Sequence, residues 1–140
     1  MVRSPVSPHV LYGPPGVHAA LCALIFSYYD HSLEYLSKEM WRSAMALSIE
    51  ASQPPTGRHY TELDQWLAIQ VTDLISALQE RGDVRADVDP AALGRVIFNN
   101  LNQMFIEFVK DDDATLSDLR DTVAKQMRPI SNLIASGAER

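Results

Sequence analysis

The sequence holds a single cysteine, Cys22, in 140 residues. That excludes a disulfide framework within the chain and any zinc cluster built on several thiolates. No apolar run approaches the roughly 18 residues that a membrane-crossing helix needs. Basic residues are sparse as well: 12 Lys and Arg against 18 Asp and Glu give a net charge of −6. They stand singly, a poor basis for holding DNA phosphates. Met1 to Pro15 lack the basic start and apolar stretch of a secretory signal. Asn-Gly and Asp-Gly hairpin turns are missing between alternating apolar runs, and so is any internal repeat. What remains is ordinary: 46% hydrophobic and 21% charged residues, enough for a core that hides roughly two-thirds of the unfolded surface. One soluble, cytoplasmic domain is expected.

The prolines and glycines divide the chain. Residues 1–15 contain Pro5, Pro8, Pro14 and Pro15 and are expected to form an extended lead-in. A helical domain over 16–136 and a short tail, 137–140, should follow. Pro54, Pro55 and Gly57 mark one loop, Gly82 to Pro90 a second, and Asp111 to Asp113 a third. Between these breaks the apolar residues recur with helical period, so the fold class is all-α, an antiparallel bundle of about five helices. The first helix, about Val17 to Leu36, is apolar on two sides and is expected at the bundle centre. The second runs from about Lys38 to Ala51, with Ser37 as its cap. The third runs from about Tyr60 to Arg81, with Thr61 and Asp64 as a capping box and Gly82 closing its end. Asp89-Pro90 opens the fourth, which runs to about Val109. Thr115 with Asp118 opens the fifth, and Pro129 is expected to kink or break it near Gln126.

Catalysis requires a nucleophile or acid–base group beside a partner, and no such set can be assembled, so the chain is read as no enzyme. Cys22 sits in apolar company and reads as a structural thiol. His9, His18, His31 and His59 never fall at ligand spacing, and Asp111 to Asp113 lack the spaced donors and central glycine of a calcium loop. No metal or cofactor is expected. More informative is polarity in apolar surroundings. Asn100 shares the apolar arc of the fourth helix, with Gln103 at its edge, and Trp66 and Gln70 lie one step off the third helix's stripe. A buried amide demands a partner: either a neighbouring helix or a ligand held in an apolar cavity. With Phe26, Tyr29, Trp41, Met45 and Met104 these residues form the candidate small-molecule pocket, between the first three helices and the fourth. Core packing is the plainer role for each of them.

Trp41 to Ala51, Leu78 to Pro90 (LQERGDVRADVDP), Leu93 to Phe108 and Leu119 to Val123 together resemble the C-terminal half of the TetR family of bacterial transcriptional regulators. The resemblance runs from about Val17 to Ile134 and rests on pattern more than on fixed residues. It implies a domain that binds an apolar or amphipathic effector and forms a homodimer through its last two helices. Phe98, Phe105, Val109, Leu119, Val123, Met127 and Ile130 are the candidates for the centre of that interface, with a total burial of roughly 2,000 Å² or more. The plainer alternative is that the fifth helix covers its own bundle. Family members begin with a helix-turn-helix unit that enters the major groove. Here the lead-in alone precedes the first helix, so the chain as given is not expected to read operator DNA. The rival reading is a stand-alone helical protein that heterodimerises with a related regulator.

Overall fold

The computed structural model describes residues 16–35, 37–50 and 56–137, with backbone alone for Tyr35 and 56–65. Five helices follow one another: α1 (Val17–Tyr35), α2 (Lys38–Glu50), α3 (Thr56–Arg81), α4 (Pro90–Lys110) and α5 (Leu116–Ile134). Among the described residues the one departure from helix and loop is an isolated bridge between Val84 and Ala135. The all-α bundle is therefore as the periodicity predicts.

Local chemistry sets the ends. Ser37 Oγ accepts from Met40 N–H at 3.2 Å and caps α2. Gly82, at φ +91°, ends α3 in a conformation that only glycine adopts freely. Asp83 N–H then reaches Leu78 O, and Gly82 N–H reaches Gln79 O, which satisfies the last carbonyls of the helix. Asp89 caps α4 by accepting from Ala91 and Ala92 N–H, with Pro90 inside the first turn. Thr115 and Asp118 exchange both bonds of a capping box at the start of α5.

Two expected ends move. Helix α3 starts at Thr56, directly after Pro55, so Thr61 and Asp64 lie inside the helix and cannot box its start. Helix α5 runs unbroken through Pro129. The carbonyl deprived of a donor is that of Lys125, and both residues are exposed, so water can replace the missing N–H.

Helix α4 is the hub: it packs on α3, α2 and α5, and Tyr29 of α1 reaches it as well. Its Ile97, Leu101 and Val109 are fully buried, each contributing about 1.5–3 kcal/mol of apolar transfer energy. Gly94 lets α3 come close, since a Cβ there would stand 2.1 Å from Thr72 Oγ1. Helix α1 is not the centre that its composition suggests. Leu21, Ile25 and Tyr29 are buried, but Ala23, Ser27, Asp30, His31 and Glu34 form a solvent face. The apolar flank residues Leu24, Phe26 and Leu33 stay half-buried at its edges. Its main partner is α5, through His18 Nε2 on Ala124 O at 2.8 Å and the Arg120–Asp30 ion pair. The chain closes on itself where the α3–α4 loop meets the end of α5. Arg85 N–H donates to Ile134 O, Ser136 N–H to Asp83 O, and the Arg85 guanidinium to Leu133 O.

Candidate functional site

The helices α4 and α5 form a hairpin across the loop 111–115, and between them lies a half-open groove of about 150 Å³. Its apolar wall is Met104 and Phe108 from α4, Ala114 from the loop and Leu119 from α5. Glu107, Asp118 and Thr122 complete the lining with polar atoms. Helical spacing explains the assembly: Met104 and Phe108 lie one turn apart, and Asp118 and Thr122 do the same on the facing helix.

The polar groups are partly committed. Glu107 accepts from Gln103 Nε2 through Oε2 at 3.0 Å. Asp118 Oδ2 accepts from Thr115 N–H at 2.9 Å. That bond first, and the Thr115 hydroxyl second, hold the Asp118 carboxyl below the usual range, with a smaller push from Lys38. Lys38 itself is tied to the carbonyls of Asp111 and Ala114 and sits 4.2 Å above the Phe108 ring. Arg42 reaches Val109 O and Asp112 close by, so two cations from α2 serve the C-terminal end of α4, where the helix dipole favours them.

Of the nine residues expected to form a pocket, Met104 lines this groove. Tyr29 and Trp41 instead join an aromatic cluster on Phe105: Tyr29 stacks at 5.3 Å between centroids, and Trp41 meets the ring edge-on at 5.4 Å. Their polar ends are satisfied within the fold, Tyr29 OH by Leu101 O at 2.8 Å and Trp41 Nε1 by Ser32 O at 3.1 Å. Phe26, Met45, Trp66, Gln70 and Asn100 are half-buried. Gln103 is exposed and serves Glu107.

The expected interface residues also take other places. Phe98, Phe105, Val109, Leu119, Val123 and Met127 are buried within the single chain, and Ile130 is half-buried against the same core. These six side chains are therefore spent on the monomer's own packing, as is the apolar stripe of α5 to which Leu119, Val123 and Met127 belong. What the two helices turn outward is a neighbouring stripe. At 100° per residue, Val96, Asn100 and Gln103 of α4 share one flank, and Thr122, Gln126, Pro129 and Leu133 of α5 share the flank beside it. None of the seven is charged; toward the loop the same flanks carry Glu107 and Lys110 on α4 and Asp118 on α5. Of the exposed charges of α5, Asp118 shares this flank at its loop end, Lys125 lies beside it, and Asp121 and Arg128 lie farther round the helix. Periodicity marks Met104, Phe108 and Leu119 as core-facing. The flank and the polar lining were missed because the outward residues and exposed Glu107, Asp118 and Thr122 lie off that stripe. A search for exposed helix flanks without charge would have found the first.

Among the described residues no catalytic grouping emerges. Cys22 is buried, and burial pushes its thiol up, against a smaller opposing influence of Arg128. Among the described residues no three His, Cys, Asp or Glu side chains gather to hold a metal ion. No described helix is long and apolar enough to cross a membrane. Arg81 pairs with Asp83 across Gly82, so that tripeptide is a helix stop. Neither a family model, nor a characterised protein, nor a solved structure matches the chain.

Proposed function

We infer that the chain is the effector-binding and dimerisation half of a TetR-like transcriptional regulator, working as a homodimer through α4 and α5. The observation that carries this reading is the neutral flank. Away from the loop end, where Glu107, Lys110 and Asp118 stand, seven residues on the facing flanks of two helices carry no charge, in a chain where 21% of all residues are charged. Val96 and Leu133 are 58% and 67% exposed there. Depletion of charge over a patch with apolar and amide side chains is the composition of an interface core. A two-fold contact brings the same patch against itself, and two such hairpins make a four-helix interface. The sequence resemblance supports the same arrangement, and the groove beside that flank offers the effector a place. In a longer protein that carries the helix-turn-helix unit, effector binding would then bias the spacing of two DNA-reading heads.

Light scattering tests the reading. A dimer has twice the 15.6 kDa mass of the chain. Val96→Asp changes a side chain that is exposed in the monomer, so folding should shift by less than about 0.5 kcal/mol. In the dimer the two-fold axis buries two uncompensated carboxylates, at roughly 2 kcal/mol each. Dissociation should therefore become easier by about a thousandfold. A wild-type mass of 15.6 kDa at micromolar concentration, or a Val96→Asp variant that stays dimeric, would overturn the assignment of this face.

A further inference from the structure

The groove between α4 and α5 has a size and a charge that select among effectors. We propose that it binds a small amphipathic monocation: a single ring carrying a short aliphatic amine. This rests on the effector-binding reading above and names its ligand class.

The size comes first. A half-open groove of about 150 Å³ with an apolar wall has room for one benzene-sized ring. Met104, Phe108 and Leu119 supply thioether, aromatic and aliphatic contact for such a ring. The charge comes second. Two carboxylates, Glu107 and Asp118, line the groove, and no basic side chain does. Gln103 occupies one Glu107 oxygen, Oε2, and a single amide donor leaves the negative charge in place. Asp118 is kept ionised by Thr115. Lys38 is the neighbouring cation, and its ammonium is spent on two backbone carbonyls and the Phe108 ring. A carboxylate or phosphate ligand would meet repulsion from the lining, whereas an ammonium gains a charge-assisted hydrogen bond. The net charge of −6 favours the approach of a cation as well. Thr122 belongs both to the lining and to the neutral flank, so an occupied groove is sensed at the edge of the proposed interface.

The test is a titration of the whole chain with 2-phenylethylamine, phenylacetate and 2-phenylethanol, by calorimetry and by methyl NMR of Met104 and Leu119. The amine should bind with a dissociation constant of about a millimolar, at the ligand efficiency of a small fragment. Phenylacetate should bind at least roughly tenfold more weakly. Glu107→Gln should weaken the amine by about threefold and not the acid. Thr122→Trp, a substitution at an exposed position, should fill the mouth and remove binding. Equal affinity for amine and acid, or unchanged binding in Thr122→Trp, would overturn the proposal. Light scattering on the same samples keeps the two readings apart. A dimer that ignores all three probes sinks the ligand class alone, and a monomer that binds the amine sinks the dimer alone.

Discussion

Replacing Gly94 by alanine should destabilise this protein, although the same change in an ordinary helix does the opposite. In an exposed helix interior, Gly→Ala stabilises by about 1 kcal/mol, because alanine loses less backbone entropy on folding. Gly94 is buried where α4 crosses α3. A Cβ built there meets Thr72 Oγ1 at 2.1 Å, Thr72 Cβ at 3.1 Å and Thr72 Cα at 3.2 Å. Rotating the threonine relieves the first contact but not the other two, which sit on or next to the α3 backbone. The helices must part by a few tenths of an ångström, and overpacking of this kind costs about 1–3 kcal/mol. Because α4 also holds α2 and α5, the displacement cannot be taken up by a free surface. Against the gain of about 1 kcal/mol in propensity, the net loss should reach up to about 2 kcal/mol, with a fall in Tm of up to roughly 8 °C. Urea unfolding followed by far-ultraviolet circular dichroism measures it. Thr72→Ala in the Gly94→Ala background should recover part of the loss, since it removes the nearest atom. A Gly94→Ala variant more stable than wild type would refute the close approach of α3 and α4.

Other expectations are simpler. Tyr29→Phe should cost about 1 kcal/mol in urea unfolding, because the hydroxyl bond to Leu101 O is lost while that carbonyl remains within a helix. Burial, with a smaller effect of Tyr28, raises the Tyr29 phenol well above its ordinary value. A raised phenol contributes stability that is complete below the unfolded value of about 10. That stability should drain as pH climbs from there toward the folded value, and Tyr29→Phe should flatten this alkaline limb. Asp118 has the opposite sign: its folded value is lowered, so its contribution is present above about pH 4 and lost as pH falls through the folded value. Asp118→Ala should therefore flatten the acid limb of the urea midpoint between pH 5 and pH 2. A thiol reagent at pH 8 should label Cys22 only as fast as the bundle opens, given its burial and raised thiol. Immediate labelling of the native chain would contradict that packing.

The local signals in the chain were sufficient for much of the fold. Ser37, Gly82, Asp89-Pro90 and the Thr115–Asp118 pair act through atoms no more than four residues away, so their spacing alone predicts the caps that form. Apolar period likewise places Leu119, Val123 and Met127 on one face of α5, and it also places Val71, Leu74 and Leu78 on one face of α3. The start of α3 and the survival of α5 through Pro129 depended on weaker local terms, and the second occurs where Lys125 and Pro129 are both exposed.

What a face is used for lies beyond period. The stripe of α5 is equally suited to a partner's core or to its own, and the bonds His18–Ala124 and Asp30–Arg120 across 106 and 90 residues commit it to α1. Tyr29 and Trp41 read as pocket residues because large side chains serve both cavities and cores. The Phe105 ring between them makes them core. Gly94 carries no local mark, since its need for a missing Cβ arises from Thr72 on another helix. The groove is of the same kind: Met104 and Phe108 come from one helix, and Leu119 and Thr122 from the next. Composition and period thus determined an all-helical chain with a sufficient core. Which side chains enter that core, and which flank is left neutral and outward, the tertiary structure alone decided, because each helix has more apolar surface than its own sequence can assign to a neighbour.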